Sequence, residues 1–230
     1  MTATLVREGT DLVAAIRAQR PTVAGLGLGV VSRGSGTAAA TVDDYRLASR
    51  MTPRRRAEFL LGREALRRAM TDARLPAAPL VPVLEGRPRL PAGTVGALSH
   101  SGGVAVALAG SSTRFAAVGV DLELSTLPVE AAHLVLMDAE RDWLALAPTR
   151  ESGERALISA FCAKEAAFKA FAQLDRCRVD RLRQVRLAQR GRGFVCWPEH
   201  EPAVAVHVTV GRVGTGTFAW TVLSTRGAPR

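Results

Sequence analysis

The first patterned stretch, Val23–Val31 (VAGLGLGVV), is a run of small and branched apolar residues and predicts a strand. A short helix is expected over residues 11–20, and a second strand over Ala38–Val42 beyond the turn Arg33-Gly34-Ser35-Gly36. Gly25, Gly27 and Gly29 fit neither GxGxxG nor GxxxxGK[ST], so their spacing points to close packing of the strand rather than a phosphate loop. At Thr52-Pro53 the period changes. A capping hydroxyl followed by proline at the first helical position opens a helix over Arg54–Ala73. Phe59, Leu66 and Met70 recur on one face of that helix, and Arg56, Arg63 and Arg67 on another.

A proline-rich extended segment, Pro76–Pro91, turns at Glu85-Gly86-Arg87-Pro88. Gly96–Gly103 (GALSHSGG) is expected to be a polar loop, followed by the strand Val104–Ala109 and a turn at Ser111-Ser112-Thr113. The strand Phe115–Val120 then runs into Asp121-Leu122-Glu123. Helices are expected at Asp138–Leu146 and Glu154–Gln173, and closing strands at Val185–Ala188, Phe194–Trp197, Ala203–Val210 and Thr217–Leu223. Strands and helices in this order give an α+β fold with antiparallel sheets.

Composition narrows the class. An apolar share of 47% over 230 residues supports a sizeable core. The net charge of +10 calls for an acidic partner, among them nucleic acid, an anionic membrane, a polyphosphate or an acidic protein. One Tyr and three Trp are few for a protein that stacks bases, which weighs against nucleic acid. The three cysteines and four histidines show no zinc-ligand spacing, which leaves a reducing cytoplasm as the expected setting. Charges break the first twenty residues and Val23–Val31 is too short to span a bilayer, so neither a leader nor a membrane anchor is expected.

Only two lysines occur against 29 arginines, and both lie in Phe161-Cys162-Ala163-Lys164-Glu165-Ala166-Ala167-Phe168-Lys169. Codon bias is one account; the other is a place where an ammonium does what a guanidinium cannot. Leu157, Phe161, Lys164, Phe168 and Phe171 form one helical stripe, which places Lys164 in a core-facing row where its charge needs a compensating anion. Glu165 and Lys169 form an i, i+4 pair on the next row, either an ordinary surface pair or a carboxylate and a cation directed at metal and phosphate. Asp121 and Glu123, two apart on a strand, project to one side. They are solvated acids, or with Glu165 they are hard oxygen ligands for Mg²⁺. Arg54–Arg56, Arg63, Arg67 and the Ser99-His100 pair are further groups suited to a polyphosphate.

In order, RRRAEFLLGR (54–63), GRPRLP (86–91), GALSHSGG (96–103), GVDLE (119–123) and FCAKEAAFK (161–169) resemble the Sfp/EntD-type 4′-phosphopantetheinyl transferases. The last two match that family's GxDxE and [WF]xxKEAxxK signatures, and the likeness covers about residues 50–172. It implies two pseudo-twofold-related α+β subdomains, 1–112 and 113–230, each a small antiparallel sheet with a long helix and with coenzyme A bound between them. It implies Mg²⁺ on Asp121, Glu123 and Glu165; phosphate contacts from Lys164, Lys169, Ser99 and His100; and a 3′-phosphate site at Arg55 and Arg63. Relatives often carry a basic residue where this chain has Glu85, and Arg87 is expected to take that contact. The implied reaction is transfer of 4′-phosphopantetheine from coenzyme A to a serine of an acidic apo carrier protein, with Glu165 as base and Lys164 as the alternative, by a monomer. Two alternatives carry different expectations: a basic nucleic-acid-binding protein with structural carboxylates, and a coenzyme A-binding protein without catalysis.

Overall fold

The computed structural model describes residues 11–34, 40–76, 83–84, 87–175 and 177–225. The chain divides between residues 115 and 116 into two compact units. Both are α+β, and in each a long helix lies on an antiparallel sheet.

In the first unit, helix α1 (11–18) precedes strand β1 (Leu26–Ser32). Helices α2 (Val42–Ala48) and α3 (Pro53–Asp72), the two-residue strands β2 (Val83–Leu84) and β3 (Arg87–Pro88), and strands β4 (Thr94–Ser101) and β5 (Val104–Ser111) follow. The main sheet has the order β1-β5-β4, with Leu28 opposite Leu108 and Leu98 opposite Ala107. α3 packs Leu61, Ala65, Leu66, Ala69 and Met70 against Val31 and the alanines of β5. The glycines of β1 explain how closely it approaches: a β-carbon at Gly27 or Gly29 would overlap the carbonyl oxygens of Ala69 and Ala65. Their spacing is a packing feature, as the sequence indicates.

Two expectations fail in this unit. No strand begins at the described end of Ala38–Val42; Val42 instead opens α2, because Thr41 and Asp44 form a reciprocal capping box. Residues 38 and 39 of that expected strand, like Glu85, lie outside the described residues. The expected loop at Gly96–Gly103 is mostly strand β4. Its polar residues pair in register with the apolar β5, and Gly102 and Gly103 turn the hairpin at φ 58° and 81°.

The second unit carries the sheet β6-β10-β9-β8-β7. These strands are β6 (Phe115–Glu123), β7 (Val185–Arg190), β8 (Gly193–Pro198), β9 (Val206–Val213) and β10 (Gly216–Ser224). Short helices α4 (Ala132–Val135) and α5 (Asp138–Ala145) lead to α6 (Arg150–Phe171), capped by the Thr149 hydroxyl. α6 buries Leu157, Ile158, Ala160, Ala163, Ala167 and Phe171 against the sheet. At Gly119 the helix and strand are so close that a β-carbon would overlap the Ala166 carbonyl. That approach sets the carboxylate-bearing end of β6 beside α6.

Candidate active site

Strand alternation places Gly119, Asp121 and Glu123 on one face of β6, with Val120 and Leu122 on the other. Because Gly119 abuts Ala166, this is the face turned toward α6. Lys169 Nζ donates to Asp121 Oδ1 at 2.7 Å and to the Val120 carbonyl at 3.1 Å. Asp121 is 5% exposed, so its charge is neutralised by Lys169 rather than by bulk water. Glu165 is half-buried in the same cluster. Burial raises its carboxyl above the usual range; Lys169 opposes the shift and Asp121 adds to it. Cys162 sits beside Asp121, and burial, then Asp121, pushes its thiol up. Glu123 accepts from the Ser125 amide at 2.9 Å.

Three hard carboxylate oxygen donors from one strand and one helix fit Mg²⁺ by chemistry. Burial of Asp121, and the mutual repulsion felt by Glu165, mark a place where added positive charge would be favoured. Among the described residues these side chains are not gathered into a metal-binding group, since Asp121 is turned to Lys169 and Glu123 to the Ser125 amide.

Gln173, one turn beyond Lys169, completes the arrangement and was not singled out in the sequence. Its side chain donates to the Val118 carbonyl at 2.6 Å and accepts from the Val118 amide at 3.4 Å, satisfying the outer edge of β6. The signal was available: Glu165, Lys169 and Gln173 share one i, i+4 row.

Lys164 lies apart from the Asp121 cluster. It is fully buried, and its Nζ donates to Glu140 Oε2 at 2.6 Å. The ammonium is thereby engaged away from the Asp121–Glu165–Lys169 cluster. Burial lowers its pKa, opposed by the hydrogen bond and charge of Glu140. The compensating anion that a core-facing lysine requires is supplied within the chain by Glu140. Glu140 itself was missed, although Leu136, Glu140 and Leu144 recur at core spacing.

In the first unit Arg55 Nη1 lies 3.2 Å from His100 Nε2, which joins the start of α3 to β4. Ser99, its neighbour in sequence, points to the opposite sheet face by alternation, so the two side chains are not presented together. The expected arginine face is divided by function. Arg56 donates to the Ala48 and Ser49 carbonyls, closing the end of α2, and Arg67 pairs with the buried Asp44. Arg63 is 3% exposed and stacks its guanidinium 4.7 Å over the Phe59 ring. Neither of its terminal nitrogens has a hydrogen-bond partner among the described residues. Burial lowers its pKa, Asp44 opposes that, and Arg67 adds to it. A buried guanidinium with unpartnered donors is matched chemically by a phosphate. The Arg87 side chain lies outside the described residues.

The second unit sets carboxylates on an edge strand beside a Glu–Lys row on its helix, and the first unit buries an arginine whose terminal nitrogens have no hydrogen-bond partner among the described residues. Comparison with known proteins narrows the class. The family model for the 4′-phosphopantetheinyl transferase N-terminal domain matches residues 43–110, and that for the 4′-phosphopantetheinyl transferase superfamily matches residues 117–222. Over 136 residues the chain is 34% identical to 4′-phosphopantetheinyl transferase PptT of Mycobacterium tuberculosis, an alignment covering 58% of this chain and 59% of that protein. It is 32% identical over 129 residues to 4′-phosphopantetheinyl transferase Npt of Nocardia iowensis (56% and 57%), and 33% over 133 residues to Svp of Streptomyces mobaraensis (57% and 54%). The chain thus matches somewhat over half the length of these relatives. A crystal structure of Thermotoga maritima holo-[acyl-carrier-protein] synthase is matched at TM-score 0.36 and 19% identity, over 47% of this chain and 63% of that one. The chain belongs to the 4′-phosphopantetheinyl transferase superfamily.

Proposed function

We propose that this chain transfers 4′-phosphopantetheine from coenzyme A to a serine hydroxyl of an apo carrier protein, releasing adenosine 3′,5′-bisphosphate. The observation that carries the reading is the cluster in which Asp121 of GxDxE meets Glu165 and Lys169 of KEAxxK. The serine oxygen attacks the phosphorus bearing the pantetheine arm. The bond from that phosphorus to the bridging oxygen breaks, and adenosine 3′,5′-bisphosphate leaves with the electron pair. Little covalent work falls to the protein in such a transfer; positioning and charge neutralisation dominate. Glu165 takes the serine proton. Its raised pKa brings it nearer the working pH, where a base transfers protons most effectively. Lys169 supplies positive charge for the phosphoryl oxygens. Arg63, with Arg55 and His100, takes the nucleotide phosphates, and Arg63 gains there the partners its buried donors lack.

Asp121, Glu123 and Glu165 would hold Mg²⁺, which when bound supplies neutralising charge to the pyrophosphate and leaving group. A chain with +10 charge suits an acidic carrier, and the three buried free cysteines suit a reducing cytoplasm. Among the described residues no helix is long and apolar enough to cross a membrane.

Chromatographic detection of adenosine 3′,5′-bisphosphate, with and without an apo carrier, tests the reading. Release should need both the carrier and its serine. Asp121→Asn and Glu165→Gln should each slow it by about 100-fold or more while coenzyme A binding changes by less than about tenfold. Near-parental rates from either variant at limiting Mg²⁺ would remove the carboxylate site from the account.

A further inference from the structure

Glu140 accepts three hydrogen bonds with its two oxygens and has a guanidinium nearby. Oε2 accepts from Lys164 Nζ at 2.6 Å and from the Met137 amide at the start of α5 at 2.8 Å. Oε1 accepts from the Leu187 amide on β7 at 2.9 Å, with Arg186 Nε at 3.8 Å. β7 is the terminal strand of its sheet, so the Leu187 amide is an edge donor without a neighbouring strand on that side. Met137 is the N-cap residue of α5, and Glu140 reaches back to it from the third helical position. A single carboxylate therefore ties α5, α6 and the sheet edge together inside an otherwise apolar core. A carboxylate so enclosed requires a cation of its own, and Lys164 is the only lysine or arginine bonded to it within 3.5 Å among the described residues.

α6 carries two sets of residues on different rows. Lys164 enters the core toward α5 and β7, while Glu165 and Lys169 reach the Asp121 cluster on β6 at the other edge of the sheet. Successive residues on a helix differ by about 100° in direction, so fixing Lys164 fixes where Glu165 points. Leu157, Ile158 and Phe171 anchor the buried face of α6 toward its two ends, whereas Ala160, Ala163, Ala166 and Ala167 around Lys164 are small and offer less resistance to a local rotation of the helix. A directional charged hydrogen bond supplies that resistance.

We propose that Lys164 and Glu140 are positioning residues: the pair sets the rotation of α6 so that Glu165 and Lys169 face Asp121, and the Lys164 ammonium contacts neither phosphate nor the serine proton. The proposal rests on the transferase reading for its activity arm but not for its stability arm.

The test compares the full-length chain with Lys164→Met, Glu140→Gln and the double variant. Urea melts are measured first and need no substrate. Each single change leaves one buried charge or its ligands unpaired and should lower the midpoint, and the double should lose clearly less than the two losses summed, since glutamine still accepts from one of the two backbone amides. Kinetics follow, with coenzyme A, Mg²⁺ and an apo carrier. Folded Lys164→Met should lose kcat by about tenfold or more, with a raised Mg²⁺ half-saturation and a KM for coenzyme A within about threefold of the parent. The double should return to within about threefold of the parental kcat.

A stable double variant with kcat still about 100-fold down, or with KM for coenzyme A up about tenfold, would place the ammonium on the substrate and overturn the proposal. Melts in which the two losses simply add would overturn it as well. Should the double fail to fold, Lys164→Met/Glu140→Leu takes its place, and an apolar pair less stable than either single variant counts against the proposal. Absence of transfer by the parent would refute the transferase reading alone, leaving the melts to judge the pair.

Discussion

At the scale of single residues, charge placed inside the protein separates what binds from what holds. Glu140 with Lys164 and Asp44 with Arg67 are buried ion pairs, and Asp44, whose Oδ1 has no hydrogen-bond partner among the described residues, also acts by its charge on Arg63. Arg63 is buried with both terminal nitrogens unpartnered among the described residues. Buried donors without acceptors cost about 1–3 kcal/mol, partly offset here by the cation–π contact with Phe59. Arg63→Met should therefore stabilise the ligand-free protein by about 1 kcal/mol in urea melts while weakening coenzyme A binding at least tenfold by calorimetry. A less stable variant that binds normally would show that the arginine serves packing alone. The thiols offer an independent check on the core. Burial pushes Cys196 to about 12, with Lys164 opposing that and Glu140 adding to it; burial, then Glu201, pushes Cys177 to about 11. At pH 8 a thiol of pKa near 11 is thiolate at roughly one part in a thousand, so brief maleimide treatment should leave the native protein unlabelled by mass. Rapid labelling before unfolding would contradict the buried placement of all three cysteines.

Much of the site was legible because the two motifs carry local information. The i, i+4 spacing of Glu165 and Lys169 and the two-residue spacing of Asp121 and Glu123 are set by helix and strand geometry. The partners of these residues were not legible in the same way. That Lys164 faces an anion follows from its place in an apolar stripe, but that the anion is Glu140 depends on how α5 packs. The division of the arginine face has the same origin, since Arg56 and Arg67 are claimed by α2, a helix for which the sequence reading had no element beyond Val42.

At the scale of elements, small residues decide how near a helix may come. Gly119 lets β6 touch α6, and Gly27 and Gly29 let β1 touch α3. Gly119→Ala must part α6 from β6, an overpacking that costs about 1–3 kcal/mol or more. It should also separate Asp121 from Lys169, so the folded fraction should lose activity as well. Gly29→Ala should destabilise the protein comparably through α3. Urea melts beside turnover per folded molecule check both; an unaltered midpoint in Gly119→Ala would show that the helix yields without cost. The long periodic elements α3 and α6 were readable because each buries a continuous stripe. The described end of the expected strand at Ala38–Val42 and the expected loop at Gly96–Gly103 depart from the reading for opposite reasons. In the first, a local capping box overrides β-branched residues; in the second, long-range pairing with β5 overrides a polar, glycine-rich composition.

For the whole molecule, net charge bears on the partner rather than on the fold. If the carrier is acidic, kcat/KM for the carrier should fall with salt more steeply than for coenzyme A, because exposed charge is screened over roughly 8–10 Å at 0.1–0.15 M salt. A flat response for the carrier would leave the +10 charge without a role in encounter. The central claim, group transfer to a carrier serine, is read most directly by mass. Intact-mass spectrometry of an apo carrier incubated with this protein, coenzyme A and Mg²⁺ should show a gain of about 340 Da, the 4′-phosphopantetheine group. The gain should be absent when the acceptor serine is alanine. Carriers of several types left unmodified by a protein that binds coenzyme A would contradict the transferase account.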